Sequence, residues 1–261
     1  MSTHELRLGP SAVTKAYRWT DRDQPLREWR GLRLLHRYAP GLAPEPLSAE
    51  FDVIPPTVTM SRLPGSPVTG SVTGPLAGAL AAAITRLHDA VPAPELAALP
   101  PRAGAPEGLL THVRTWHAET PPPDADLLAR AYAAGGDWLA RPGTERDILR
   151  PGRPVFGTGD GNVHNFLWDG ATVRVVDLEY CGRSDRPYEI AEVVEHISAW
   201  DNDPRGLTEV LARLPLDPAE TERLTQCRRL FALYWFLRVL PEAGSPDSRA
   251  EATARRLLAL L

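Results

Sequence analysis

Between residues 4 and 19, extended stretches of mixed apolar and polar residues lie on either side of Gly9-Pro10-Ser11, which predicts two strands around a turn. On the second stretch, AVTKAYRW, strand alternation puts Val13, Lys15 and Tyr17 on one face. The spacing then changes to helical. A helix is predicted from about Pro25, after a possible cap at Asp23, to Tyr38 before Ala39-Pro40-Gly41. Glu28, Leu32 and Leu35 fall at i, i+4 and i+7, so a carboxylate shares the apolar stripe, where it needs a cationic partner. FDVIPPTVTM (51–60) predicts a hairpin whose second strand ends at Met60, followed by SRLPG as a crossing segment.

Further on, the chain reads as mainly helical. Helices are predicted at 74–90, about 106–118, 124–140, 187–200, 218–240 and 247–260, with a Pro-rich loop over 91–106. Asp217, Pro218 and Glu220 form a capping-box variant at the start of the 218 helix. One segment breaks the helical pattern: VHNFLW and TVRVVDL flank Asp169-Gly170, a strong hairpin signal.

The 261 residues are 43% hydrophobic and 24% charged, an ordinary globular mix with a net charge of −4. No polybasic surface is indicated, so nucleic acid is not an expected partner. The N-terminal residues have no apolar signal region, and the longest apolar run, Phe231 to Leu237, is too short to cross a bilayer, so a cytoplasmic protein without membrane contact is expected. Cys181 and Cys227 show no CxxC spacing and read as two plain thiols. Composition carries one sharper clue. Of 29 basic residues, 28 are arginine and one is Lys15, with proline at about twice its usual share. That is the mark of a GC-rich coding bias that replaces lysine wherever any cation serves, so the surviving lysine is expected to need an ammonium.

Three residues point to chemistry. Asp160 and Asn165 lie five apart in the loop entering the hairpin, and Asp177 ends its second strand. Two carboxylates and a carboxamide meeting at one mouth suit phosphoryl transfer: one Asp accepts a hydroxyl proton, and the Asn and other Asp hold Mg²⁺ through hard oxygen atoms. GxxxxGK[ST], HExxH, GxSxG and complete GxGxxG motifs are all absent from the chain.

GDGNVHNFLWDG, VVDLEYCGRSDRPYEIAE, KAYR, REWRGLRLL and MSRLPG together resemble the aminoglycoside phosphotransferase and choline kinase superfamily, the protein-kinase-like small-molecule kinases. The resemblance spans residues 15 to 200 and is most specific over 157–195. It implies an α+β, protein-kinase-like bilobal fold: a truncated, β-rich N-terminal lobe over 1–62 and a larger, mainly helical C-terminal lobe over 63–261. It implies ATP (or GTP) and Mg²⁺ as cofactors, with Asp160 as catalytic base, Asn165 and Asp177 as metal ligands, and Lys15 paired with Glu28 on the nucleotide phosphates. The hinge backbone at Ser61 and Leu63 would take the adenine. The acceptor is expected to be a hydroxyl on an aminoglycoside-like antibiotic, an amino alcohol or a sugar-like metabolite, cationic substrates included.

Two departures stand out. Thr158 occupies the place of a histidine usual in the family, and only 14 residues precede Lys15, fewer than the family's Gly-rich loop and its two strands occupy. That loop is therefore expected to be missing, and the alternative reading is a pseudokinase-like nucleotide- or metabolite-binding protein with little or no turnover. His164, Glu189 and His196 are candidate substrate contacts. Glu192 and Glu195 are expected on a solvated helix face, near Asp201 and Asp203, and Asp185 is expected to anchor its loop. The Trp and Tyr residues of ALYWFLRVL are at helical spacing and expected to lie mostly in the core.

Overall fold

The computed structural model describes residues 4–18, 23–200, 206–245 and 248–261; Trp19, Asp201 and Asp203 lie outside them. A four-stranded antiparallel sheet opens the chain, in the order β1 (Glu5–Leu8), β2 (Ala12–Ala16), β4 (Thr57–Ser61), β3 (Pro46–Glu50). The Gly9 N–H donates to the Ala12 carbonyl at 2.8 Å and closes the predicted turn, and Lys15 pairs in register with Leu6 on one side and Val58 on the other. The hairpin expected at 51–60 is displaced. Its first strand is Pro46–Glu50, and residues 51–56 with Pro55-Pro56 form the bend, because proline cannot donate to a ladder.

Helix α1 (Gln24–Tyr38) buries Glu28, Gly31, Leu32 and Leu35 as its spacing predicts. Asp23 does not cap it with its side chain but sits in the left-handed region at φ 56°. The rest is mainly helical: α2 (Gly74–Ala90), α3 (Ala93–Ala98), α4 (Pro106–Glu119), α5 (Asp126–Ala140), α6 (Thr144–Leu149), α7 (Arg186–Glu195), α8 (Thr208–Leu211), α9 (Pro218–Val239) and α10 (Ala250–Leu260). Three of these lie where no helix is predicted: α3 in the Pro-rich stretch, α6 before residue 150 and the short α8. The helix predicted over 187–200 stops at Glu195 and continues as a short 3₁₀ turn over Ile197–Ala199. Asp217 caps α9 as expected, both halves of the capping box being formed.

Strands β7 (Phe166–Trp168) and β8 (Val173–Val175) make the predicted hairpin, and β5 (Ser66–Pro67) adds to its edge. A second pair, β6 (Pro154–Gly157) with β9 (Gly182–Asp185), is too short for a periodicity signal, yet it brackets the loop that carries Asp160. Asp185 anchors β9 to two helices: it caps α7 through the Tyr188 N–H and holds Arg223 of α9 at 2.6 Å. Glu195, expected on a solvated face, is buried and holds Arg228 of α9 at 2.6 Å and Arg256 of α10 at 2.7 Å. Cys181 and Cys227 are free and buried, as plain thiols should be.

Helix α1 meets the segment after β8 at Gly31, where an added Cβ would stand 2.7 Å from Cys181 Sγ and 3.3 Å from Leu178 Cβ. Gly31→Ala gains helix propensity of up to about 1 kcal/mol but overpacks a closed contact at about 1–3 kcal/mol. Chemical denaturation is expected to show a net loss of about 1 kcal/mol, and a gain would mean that α1 can stand off from this segment.

Candidate active site

Lys15, on β2, is 5% exposed, and its ammonium meets three carboxylates: Glu28 Oε2 at 2.8 Å, Asp177 Oδ1 at 2.5 Å and Glu179 Oε2 at 2.6 Å. Glu28 is fully buried on α1, where Tyr17 donates to Oε2 at 2.8 Å and the Leu178 N–H to Oε1 at 3.0 Å. Burial alone would raise the Glu28 pKa, but Lys15 and these hydrogen bonds hold it below the ordinary carboxylate range. Burial would also strip Lys15 of its proton; the surrounding carboxylates more than offset it and keep the ammonium charged. Glu179 also contacts His4 Nε2 at 2.9 Å, and the His4 ring lies on Tyr17 with centroids 4.8 Å apart.

Asp177 sits at φ 66°, a conformation a non-glycine residue holds only when its surroundings require it. Here the next N–H is fastened to Glu28, which turns the Asp177 carboxylate toward Lys15. Burial, helped by the like charges of Glu28 and Glu179 against the pull of Lys15, raises Asp177 to about 6. Three carboxylates around one ammonium leave an excess of negative charge on hard oxygen atoms, and the oxygen atoms of Glu28, Asp177 and Glu179 lie within 4.8 Å of one another. That donor set suits a divalent cation such as Mg²⁺.

The loop after β6 delivers the other two residues. Gly159 has φ 79° and passes so close to the Tyr180 carbonyl that a Cβ could not fit, and Gly161 is as tightly placed against the Glu192 backbone. Asp160 is held at both oxygen atoms: the Asn162 N–H donates to Oδ1 at 2.9 Å, and Asn165 Nδ2 donates to Oδ2 at 3.1 Å. Asn165 therefore keeps its own side-chain oxygen for another partner. The Val176 N–H donates to the Asn165 carbonyl at 2.8 Å, tying this loop to the residue before Asp177.

Arg102, from the Pro-rich stretch, fixes the loop from beneath. It is buried and donates to Glu189 Oε1 at 3.0 Å, to both oxygen atoms of Glu192 and to the Gly159 carbonyl at 3.2 Å. Glu189 also accepts from the Thr158 N–H at 3.1 Å. Glu189 is thus 3% exposed and spent inside the fold, not facing a ligand, and Glu192 is not solvated as its helical position suggests. The reason is Arg102, whose approach from a loop outside α7 no helical spacing reveals.

His164 is half-buried, and its N–H caps onto Asn162 Oδ1 at 3.1 Å. His196 does reach the loop, with Nε2 3.7 Å from Asp160 Oδ1. In the segment expected to be the hinge, the Ser61 N–H is bound to the Glu45 carbonyl and the Arg62 N–H to the Ser11 carbonyl, so Leu63 offers the first N–H that these contacts do not use. Sequence reasoning missed Glu179 and Arg102 and placed the Trp and Tyr residues of α9 mostly in the core. Tyr234 and Trp235 are half-buried and continue from His196 in a run of ring contacts to Trp116 and His112 on α4. Only Glu179, two residues after Asp177 in Asp-Leu-Glu, left a local signal. A separate cleft of about 440 Å³, between the starts of α7 and α9, is lined by Arg150, Arg153, Arg186 and Arg223, which carboxylates already match.

A small antiparallel sheet with one helix, joined to a helical body, is the architecture of the protein-kinase-like small-molecule phosphotransferases. Residues 13–227 match the model of the Phosphotransferase enzyme family (APH), and the chain belongs to that family. It is a small-molecule kinase by that membership. The fold is shared with a choline/ethanolamine kinase family protein from Mesorhizobium loti (17% identity, 100% of this chain and 85% of that one, TM-score 0.65). It is also shared with a macrolide 2′-phosphotransferase from Brachybacterium faecium (17%, 97% and 91%, TM-score 0.58). A third is spectinomycin phosphotransferase, solved with ADP and spectinomycin (13%, 99% and 86%, TM-score 0.58). No curated protein sequence matches the chain significantly.

An Asp with a raised pKa in the folded state is one whose charge the fold disfavours. Asp177→Asn removes that charge and keeps an oxygen for Lys15. Because the Asp177 side chain is 37% exposed, the gain is discounted to about 1 kcal/mol, or about 2–4 °C in Tm. Thermal unfolding without ligand is expected to show this rise, and a fall would mean that the ion pair with Lys15 outweighs the carboxylate crowding.

Proposed function

We propose that this enzyme transfers the γ-phosphoryl group of ATP or GTP to a hydroxyl of a small molecule. The observation that carries the reading is the meeting of Lys15, Glu28 and Asp177 beside a loop that holds Asp160 and Asn165 in one hydrogen-bonded unit. Spectinomycin phosphotransferase, which has the same fold, binds ADP, and this supports a nucleotide here. Lys15, braced by Glu28, pairs with the nucleotide phosphates, and the hinge backbone near Ser61 and Leu63 takes the base. Asp177 and the free oxygen of Asn165 would hold Mg²⁺, which when bound neutralises charge on the phosphate oxygen atoms.

Asp160 orients the acceptor hydroxyl and takes its proton as that oxygen bonds to the γ-phosphorus. The bond from phosphorus to the β–γ bridging oxygen breaks, ADP or GDP leaves with the electron pair, and a phosphate monoester remains. Catalysis is mostly positioning and charge neutralisation.

Aminoglycoside-like antibiotics, amino alcohols and sugar-like metabolites are the acceptor classes considered. Glu189, Glu192 and Glu195 are all committed to arginines, so on α7 they offer little to a substrate amine. The half-buried rings of Trp235, Tyr234 and Trp116 offer faces on which a sugar ring can stack, which favours a glycoside-like acceptor. A cytoplasmic location, where ATP is abundant, accords with two free cysteines and with no described helix long and apolar enough to cross a membrane.

Thermal-shift titration is expected to show stabilisation by ATP or ADP that requires Mg²⁺, and its absence would refute the reading. Asp160→Ala is expected to cut phosphoryl transfer by about 10²–10⁴-fold while nucleotide affinity stays within a few-fold. An unchanged rate would remove Asp160 from its role, and nucleotide binding without turnover in the parent chain would mark a binding protein instead.

A further inference from the structure

We propose that His196 is a positioning residue for Asp160, held in one tautomer by Ser198. The proposal rests on the phosphotransfer reading above and adds a residue from outside the catalytic loop. Helix α7 ends at Glu195, and His196 caps the 3₁₀ turn that follows, its Nδ1 accepting from the Ser198 N–H at 3.1 Å. Ser198 Oγ lies 2.7 Å from the same nitrogen. Because Nδ1 already accepts the Ser198 N–H, the hydroxyl can meet it only as a donor, and its oxygen accepts the Val163 N–H at 3.0 Å.

Two donors on Nδ1 leave it without a proton, and a neutral imidazole must then carry its hydrogen on Nε2. Nε2 faces Asp160 Oδ1 at 3.7 Å, a distance at which the N–H orients the carboxylate by its dipole without a full hydrogen bond. The ring is kept in that plane by the edge of Trp235, with centroids 4.5 Å apart. Asp160 therefore has three constraints: the Asn162 N–H on Oδ1, Asn165 on Oδ2, and His196 beside Oδ1. Because Ser198 also binds Val163 inside the loop, His196 and Asp160 are positioned from one point. Thr158, two residues before Asp160, uses its N–H on Glu189 and its hydroxyl on the Asp160 carbonyl, and it leaves the carboxylate to His196.

The test has two arms. Long-range ¹H–¹⁵N spectra of the ligand-free chain are expected to show His196 protonated at Nε2, and an Nδ1–H tautomer overturns the proposal whatever the enzyme does. In the second arm, ADP release from MgATP is measured with water as acceptor. His196→Phe keeps a flat ring against Trp235 and loses the N–H; it is expected to lower kcat about tenfold or more, with KM for ATP within about twofold. His196→Gln, which restores an N–H donor, is expected to recover most of that loss. Equal kcat in His196→Phe and the parent chain, or a His196→Gln variant as slow as His196→Phe, overturns the proposal. If the parent chain releases no ADP with water as acceptor, the tautomer alone decides on His196.

Discussion

Lys15 brings one positive charge into a space that Glu28, Asp177 and Glu179 fill with three negative ones, and these four residues come from three separate stretches of chain. A buried ion pair is poor evidence for stability by itself, because desolvation cancels much of its Coulomb energy. Its effect here is to specify. Glu28 on α1 can be buried only if the sheet brings Lys15 and Tyr17 to one of its oxygen atoms and the chain after β8 brings the Leu178 N–H to the other. Satisfying one carboxylate thus fixes the sheet, the helix and the Asp177 segment relative to one another. The left-handed backbone at Asp177 follows from the same demand, since the Leu178 N–H points at Glu28 while the preceding side chain turns back to Lys15.

A second buried charge does for the Asp160 loop what Lys15 does for the sheet. Arg102 spans Glu189, Glu192 and the Gly159 carbonyl, so the first turns of α7 and the glycine-rich loop are set by one guanidinium fork. The loop must come very close for this to work, which accounts for glycine at 159 and 161, where a side chain would strike Tyr180 or α7. The GTGDGN stretch thus owes its glycines to packing around Asp160, not to the cradling of a phosphate.

Much of this was legible in the sequence because its causes are local. The stripe Glu28-Leu32-Leu35, the Asp217 capping box and the Asp169-Gly170 turn each depend on residues within a few positions, and each forms as read. A composition signal, one lysine among 29 basic residues, pointed to a position that local spacing could not. The unread parts are those whose cause lies far along the chain. Glu192 and Glu195 occupy helix positions that spacing assigns to solvent, and distant arginines, 90 residues before and 33 and 61 residues after, draw them inward. Strands β6 and β9, four residues each, have no period to detect and exist because they pair with each other.

The two ends of the site differ in charge as a result. Around Lys15 the carboxylates outnumber the ammonium, and burial, with the like charges of Glu28 and Glu179 beside it, raises Asp177 to about 6. Around Asp160 the opposite holds: every α7 carboxylate near the loop is already met by arginine, and the surface beyond His196 is built of rings. An excess of hard anionic oxygen suits a cation at one end, whereas the other end presents mainly aromatic rings. A phosphoryl group moving from a metal-held nucleotide toward an acceptor would cross between these two regions, and Asp160 stands at their boundary. Asp160 is kept in place by neutral donors, the Asn162 N–H and the Asn165 carboxamide, with the His196 ring beside it. An arginine at that point would hold the carboxylate more tightly and make it a weaker base.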